Sequence, residues 1–247
     1  MKKKLIFYIV FFSLLIAGFW WMVYTFSMTD EQRAKKSNLA VINDSIPSFQ
    51  FVDQNGKKFS KYNTDGKVYV AEFFFTTCKG ICPKMNLNMR RIYDQFKETP
   101  DFLIASHTCM PEVDSVPLLK AYERKMITGQ LQKNENNGYK LIPASDSSAS
   151  YTNKNWFFIT GEKASLYFTA RKGYLIDKSA SDNTTPINDQ FLHTQFFALM
   201  DRNGRVRGIY DGLKETEIKT LIKDIEDLLK EKYQPSRFLN GFSNSPN

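Results

Sequence analysis

The chain has 247 residues, with 34 Lys and Arg against 26 Asp and Glu and a formal net charge of +8. Half of that excess falls in the first 36 residues, where six Lys and Arg face only Asp30 and Glu31. The remaining positive charge is too dilute for a nucleic-acid footprint, and no basic stripe is interleaved with stacking aromatics, so no nucleic-acid partner is expected.

Residues 1–4 carry three lysines and residues 5–26 follow without a charge. At about 1.5 Å rise per residue such a run reaches roughly 33 Å, enough to cross a hydrocarbon core. Trp20, Trp21 and Tyr24 suit the far interface, and the lysine cluster should stay on the cytoplasmic side. A cleaved signal peptide would carry a shorter apolar region ending in a small-residue site, and none stands out around residues 25–30. No cysteine follows the run for lipid attachment. The expected organisation is a cytoplasmic N-terminus at 1–4, a retained single-pass anchor at 5–26 in the cytoplasmic (inner) membrane, and a polar tether at 27–45. One domain then occupies 46–233 on the extracytoplasmic or periplasmic side, followed by a flexible tail at 234–247, rich in Ser, Asn and Pro.

Within that domain, residues 49–52 and 57–59 flank Asn55-Gly56, a tight-turn pair that predicts a hairpin. A β-prone run over 68–75 then leads through Thr76 and Thr77 to Cys78, a short Gly-containing loop, and Cys82 followed at once by Pro83. Met85, Met89, Ile92 and Phe96 recur at helical spacing, so 83–96 is a predicted helix with proline at its tolerant first position. Cys82 therefore stands at a helix N-terminus, where free amides and the macrodipole are expected to favour a thiolate. Two sulfurs can converge at the exposed end of a buried strand, to form a disulfide or to hold a soft metal. A purely structural bridge or a packed thiol pair is the plainer reading of the same residues.

Residues 102–109 form a second apolar strand candidate, and 117–128 a helix with Leu118, Leu119, Tyr122 and Met126 on one side. The polar stretch 129–155 is longer than an ordinary connection and is read as a mobile insertion. Residues 156–160 resume a buried strand, 163–172 read as a helix, and 177–190 are polar again. A strand over 191–200 pairs across Asn203-Gly204 with 205–210. Residues 214–233 carry Ile218, Leu221, Ile222, Ile225, Leu228 and Leu229, the clearest amphipathic helix in the chain. This order implies an α/β fold, a mixed sheet covered by helices. A dithiol at the end of the first central strand makes a thioredoxin-like arrangement its natural candidate.

The chain has two histidines, His107 and His193. His107 is read as structural. His193 follows a long polar stretch and opens a strand, and with Cys78 and Cys82 it completes a soft, low-coordinate donor set. Such a set suits Cu(I), and holds Cu(II) with an added weak ligand, whereas structural zinc usually takes a fourth protein ligand.

Three segments carry a family resemblance: Phe-Phe-Phe-Thr-Thr-Cys-Lys-Gly-Ile-Cys-Pro-Lys-Met at 73–85, Trp-Phe-Phe-Ile-Thr-Gly at 156–161, and His-Thr-Gln-Phe-Phe-Ala-Leu-Met-Asp-Arg-Asn-Gly-Arg at 193–205. With the anchor, the sequence resembles the Sco/SenC family of membrane-anchored copper proteins with a thioredoxin-like fold. The resemblance implies copper binding by Cys78, Cys82 and His193. It also implies delivery of copper to the dinuclear site of a respiratory cytochrome c oxidase, or reduction of that site's cysteines. The implied partners are the copper-bearing oxidase subunit and a second copper donor protein. Only the reduced Cys78–Cys82 dithiol offers thiolates, so copper binding and redox state are coupled.

The chain departs from the family pattern in three places. Met110 precedes Pro111 where the family often has an acidic residue, Cys109 is a third cysteine outside the motif, and the stretch 129–155 is long. Cys109 or Met110 is a candidate auxiliary soft ligand or resolving thiol, against a plain packing role. The leading reading is thus an assembly factor and not a turnover enzyme. An extracytoplasmic thiol-disulfide oxidoreductase is the runner-up, although the three-residue gap between cysteines differs from the usual Cys-x-x-Cys. A thiol peroxidase and a structural or adhesive module stand further back.

Overall fold

The computed structural model describes residues 2–33, 39–134, 138–146, 150–177, 192 and 194–233. The charge-free N-terminal run lies within one long helix, α1 (Lys2–Arg33), whose Ile6–Tyr24 stretch has a mean hydropathy of 2.2. By length and composition that stretch can cross a membrane.

The hairpin expected around Asn55-Gly56 forms as β1 (Gln50–Asp53) and β2 (Lys58–Ser60). Gly56 takes φ 73°, a left-handed conformation that glycine adopts without steric cost. A single turn, α2 (Lys61–Thr64), leads to β3 (Val68–Phe74), which hands over to α3 (Cys82–Phe96). Next come β4 (Phe102–Thr108) and α4 (Val116–Thr128).

The stretch read as a mobile insertion is partly built and docked, which corrects that expectation. It contains a two-stranded hairpin, β5 (Gln130–Lys133) with β6 (Tyr139–Ile142). Leu141 packs on the core, and the Arg91 guanidinium of α3 sits 4.3 Å from the centre of the Tyr139 ring. Farther along, the Tyr151 hydroxyl and the Asn153 amide donate to the buried Glu123 carboxylate at 2.7 and 2.6 Å, clamping the segment to α4. Strands of four residues, Gln-Leu-Gln-Lys and Tyr-Lys-Leu-Ile, are too short for their alternation to stand out in sequence.

The chain then forms β7 (Trp156–Thr160) and α5 (Lys163–Phe168), the latter widening into a π-helical turn at Thr169–Gly173 where a longer regular helix was expected. The polar residues 178–191 lie outside the described residues. Of the strand expected over 191–200, β8 (Phe196–Met200) forms. It pairs across Gly204, at φ 73°, with β9 (Val206–Asp211), and α6 (Glu215–Lys230) closes the domain.

The main sheet has seven strands in the order β2-β1-β7-β4-β3-β8-β9. Its central three, β7, β4 and β3, are parallel, and the flanking pairs are antiparallel. Every residue of β3 and β4 is buried, as expected of parallel strands covered on both faces. Alternation sends Val68, Val70 and Phe74 to one face, where Met85, Met89 and Ile92 of α3 and Ile218, Leu221 and Ile225 of α6 meet them. Tyr69, Ala71 and Phe73 point to the other face and pack with Leu166, Tyr167 and Tyr174. Mixed sheet, covering helices and N-terminal apolar helix all match the α/β expectation.

One acid lies inside this core. Glu72 is fully buried in β3 and accepts the Ser106 hydroxyl at 2.6 Å, while its Oε2 has no hydrogen-bond partner. Burial raises its pKa from the ordinary 4.5 to about 8, only partly offset by the Ser106 bond, so the group is largely neutral at pH 7. His107 in β4 is equally buried, stacked 5.0 Å from Phe73, and burial lowers its pKa to about 4.

These two groups act with opposite sign on stability. Folded His107 lacks a proton that the unfolded chain binds below about pH 6.5, so it costs stability as pH falls toward 4. Folded Glu72 keeps a proton that the unfolded chain releases above about pH 4.5, so it costs stability as pH rises toward 8. Between about pH 6.5 and 8 only the Glu72 effect remains of the two. Denaturation midpoints of the detergent-solubilised chain should fall across that window, and Glu72→Gln should flatten the fall. An equal slope in the variant would contradict the assignment.

Candidate metal centre

The site lies beyond the C-terminal ends of the parallel strands. After Phe74 the chain leaves β3, and the Cys78 N–H turns back to the Phe75 carbonyl at 3.3 Å. Lys79, Gly80 and Ile81 are exposed, and α3 starts at Cys82 with Pro83 in its first turn, as the proline rule anticipates. Cys78 is half-buried and Cys82 is buried, and all three cysteines of the chain are free thiols.

Cys78, Cys82 and Cys109 line one pocket of about 330 Å³, together with residues of the β3 end and with Leu192 and Thr194. Leu192 and Thr194 are the neighbours of position 193 on either side, and His193 itself lies outside the described residues. Both are anchored: the Leu192 N–H donates to the Tyr167 hydroxyl at 3.3 Å and the Thr194 hydroxyl to the Ile176 carbonyl at 2.6 Å. Among the described residues, no group of three or more His, Cys, Asp and Glu side chains is placed to hold a metal ion.

The expectation that the helix N-terminus would favour a Cys82 thiolate is reversed in the metal-free protein. Burial pushes the Cys82 thiol well above the ordinary range, and the neighbouring Cys78 sulfur pushes it further. The backbone hydrogen bond at Phe75 works the other way but does not outweigh desolvation. A soft cation entering here must therefore displace protons from the thiols.

Cys109 sits where the sequence placed it, at the end of the strand beside β3, its N–H donating to the Phe74 carbonyl at 2.8 Å. It is 3 % exposed, and burial, followed by the charge of Asp114, raises its pKa to about 12. Met110 packs against the same core cluster as Cys109 but is not part of the pocket lining. His107 donates or accepts through Nδ1 at the Ala105 carbonyl, 3.1 Å away, inside an aromatic cage of Phe51, Phe73 and Tyr174. It is a core residue, as the sequence reading had it.

Two polar residues escaped the sequence reading. The signal that could have found Glu72 is its place as the lone acid within an apolar strand. Asp114, fully buried, accepts from Thr76 and Thr108 and so joins the loops that follow β3 and β4. Its only sequence signal is an acid shortly before a predicted helix.

The exposure differences set an order of thiol reactivity. In the reduced, metal-free chain at neutral pH, iodoacetamide should modify Cys78 well ahead of Cys82 and Cys109, read site by site by mass spectrometry. Equal labelling of Cys78 and Cys109 under native conditions would contradict the burial described above.

Comparison with known proteins places this geometry. The SCO1/SenC family model matches residues 40–131. A SCO1/SenC family lipoprotein from Bacillus anthracis str. Ames is 29% identical, with a TM-score of 0.56 over 76% of this chain and 97% of that one. BsSco, a member of the Sco family of cytochrome c oxidase assembly proteins in which a disulfide switch was identified, is 27% identical, with a TM-score of 0.56 over 80% and 100% of the two chains. Yeast Sco1 with copper bound is 22% identical and shares the fold, with a TM-score of 0.51 over 78% of this chain and 92% of that one. With a thioredoxin-like sheet and two free thiols where β3 gives way to α3, the chain is similar to the SCO1/SenC family in sequence over residues 40–131 and to Sco proteins in fold.

Proposed function

We propose that the protein is a membrane-anchored copper chaperone that binds one copper ion through Cys78, Cys82 and His193. Its task is to assist assembly of the dinuclear copper site of a respiratory cytochrome c oxidase. The observation that carries this reading is the shared pocket: Cys78 and Cys82 line it together with both chain neighbours of His193. Two thiolates and an imidazole give a soft, low-coordinate set suited to Cu(I), with room for Cu(II) if a weak ligand is added. The copper-bound relative and the oxidase-assembly relative supply the cargo and the destination in this reading.

Copper is cargo here, so the protein's work is to hold and release it. Loading replaces the thiol protons of Cys78 and Cys82, and the Cys82 proton is held tightly by burial. The half-exposed Cys78 and the exposed Lys79-Gly80-Ile81 loop form the open side through which a partner's ligands can compete for the ion. The three N-terminal lysines favour a cytoplasmic start, so α1 spans the inner membrane and the domain faces the extracytoplasmic side. Transfer would then occur between two proteins held at one membrane surface, the second being the copper-bearing oxidase subunit.

A second reading uses the same dithiol as a reductant for the cysteines of that oxidase site. One specific observation favours keeping it: a disulfide switch was identified in BsSco, 27% identical over the whole of that chain. Cys78 and Cys82 would form a disulfide, and two electrons and two protons would pass to the target disulfide.

Copper titration of the reduced chain separates the residues. Wild type should hold about one copper per chain, and Cys78→Ser or Cys82→Ser should abolish tight binding. His193→Ala should weaken it by more than the roughly 10–100-fold that loss of an outer hydrogen-bond partner costs a metal site. Unchanged affinity in His193→Ala would remove the imidazole from the proposed set. If the metal-free protein reduced a disulfide-bonded oxidase peptide while copper bound only weakly, the second reading would replace the first.

A further inference from the structure

The loop that carries Cys78 is lightly held on its outer side. Thr77, Lys79, Gly80 and Ile81 are exposed, and the Cys78 N–H makes only a long turn bond to Phe75. Its firm attachment lies at Thr76, two residues before Cys78. The Thr76 hydroxyl donates to Asp114 Oδ1 at 2.5 Å, and the Thr76 backbone N–H donates to Oδ2 at 3.2 Å.

Asp114 is well placed to act as this anchor. It is fully buried, and none of the ion pairs among the described residues involves it. A buried carboxylate without a cationic partner is costly unless its lone pairs are filled by hydrogen bonds. A third donor fills it here: the Thr108 hydroxyl, at 2.5 Å from Oδ2. Thr108 ends β4 and in turn accepts the Met110 N–H at 2.9 Å, while the Asp114 N–H donates to the Met110 carbonyl at 2.9 Å. The carboxylate is thus fixed to the end of β4 on one side and grips the Cys78 loop on the other.

Packing alone could close these loops against each other. A carboxylate that accepts both the hydroxyl and the backbone N–H of one residue also fixes direction, because both bonds must point into the same group. We propose that Asp114 is a positioning residue for the dithiol, acting through Thr76 to hold the 76–81 loop so that Cys78 stays opposite Cys82. This rests on the reading of Cys78 and Cys82 as the working thiols. It adds a residue that contacts neither sulfur as a ligand yet sets how open Cys78 is.

The two threonines allow a test that separates positioning from general stability. Each loses one buried hydroxyl bond to the same carboxylate when changed to valine, but only Thr76 lies on the Cys78 loop. The full chain, reduced and metal-free in detergent, would be labelled with iodoacetamide, with the Cys78 rate read by mass spectrometry beside the unfolding midpoint. Thr76→Val and Asp114→Asn should each raise the Cys78 rate by at least about fivefold, the factor represented by one net hydrogen bond. Thr108→Val should keep it within about twofold while lowering the midpoint to a similar extent, and Thr76→Ser should keep the wild-type rate. The proposal is overturned if Thr108→Val speeds Cys78 labelling as much as Thr76→Val, or if Thr76→Val leaves the rate unchanged. Copper loading of wild type is measured in parallel. Failure to load would defeat the copper-chaperone reading and leave the labelling result to judge Asp114 alone.

Discussion

The parallel pairing of β3 with β4 is the constraint on which the site depends. Seven consecutive pairs, from Val68↔Phe102 to Phe74↔Thr108, bring both strands to the same level at their C-terminal ends. The Cys109 N–H then closes on the Phe74 carbonyl, one step past the last pair. That alignment lets Thr76 and Thr108 reach one carboxylate and brings Cys109 to the pocket that Cys78 and Cys82 share. A slip of one residue would exchange the faces of every side chain in the strand. Val70 and Phe74 would leave the core they share with α3 and α6, and Cys109 would leave the pocket. The apolar demand of a strand buried on both sides therefore fixes the geometry of the chemistry at its end.

Burial also sets the protonation of the site. A helix N-terminus stabilises an anion by typically 0.3–1 kcal/mol when exposed, and up to about 2 kcal/mol in favourable partly buried settings. Desolvation of a buried thiolate works against it and wins at Cys82, whose thiol stays protonated without metal. Metal–thiolate bonds must therefore form against proton loss, which makes retention weaker as the medium becomes more acidic. The same low-dielectric surroundings strengthen the attraction between cation and thiolate once the protons have gone. In the proposed function, holding and releasing copper become a competition in which protons and an incoming partner's ligands act on the same two sulfurs.

Much of this was legible in the sequence because the signals were strong and local. Pro83 after Cys82, the helical recurrence of Met85, Met89 and Ile92, and the pattern from Ile218 to Leu229 each follow from one rule of backbone or burial, and each element forms. The pair Cys78 and Cys82 stood out for the same reason, and both line one pocket. The hairpin at 130–142 was not legible, since its four-residue strands are too short for their alternation to stand out and gain stability from Arg91 and the core surface, which lie far away in sequence. The Cys82 protonation was misjudged because dipole arguments use local position, whereas desolvation depends on what the rest of the chain packs around the sulfur. Asp114 escaped because its role arises only when two loops, separated by a strand and a helix, meet at the C-terminal ends of the central strands. His193 lies outside the described residues, and its place in the site rests on its neighbours Leu192 and Thr194 and on the donor set it would complete.

The central claim is the identity of the copper ligands, and X-ray absorption at the copper edge of the Cu(I)-loaded chain addresses it most directly. The account predicts a low-coordinate shell of two sulfur scatterers and one imidazole nitrogen, with the imidazole signature lost in His193→Ala. A shell of three sulfurs, with the imidazole absent from wild type and the third sulfur lost in Cys109→Ser, would contradict it.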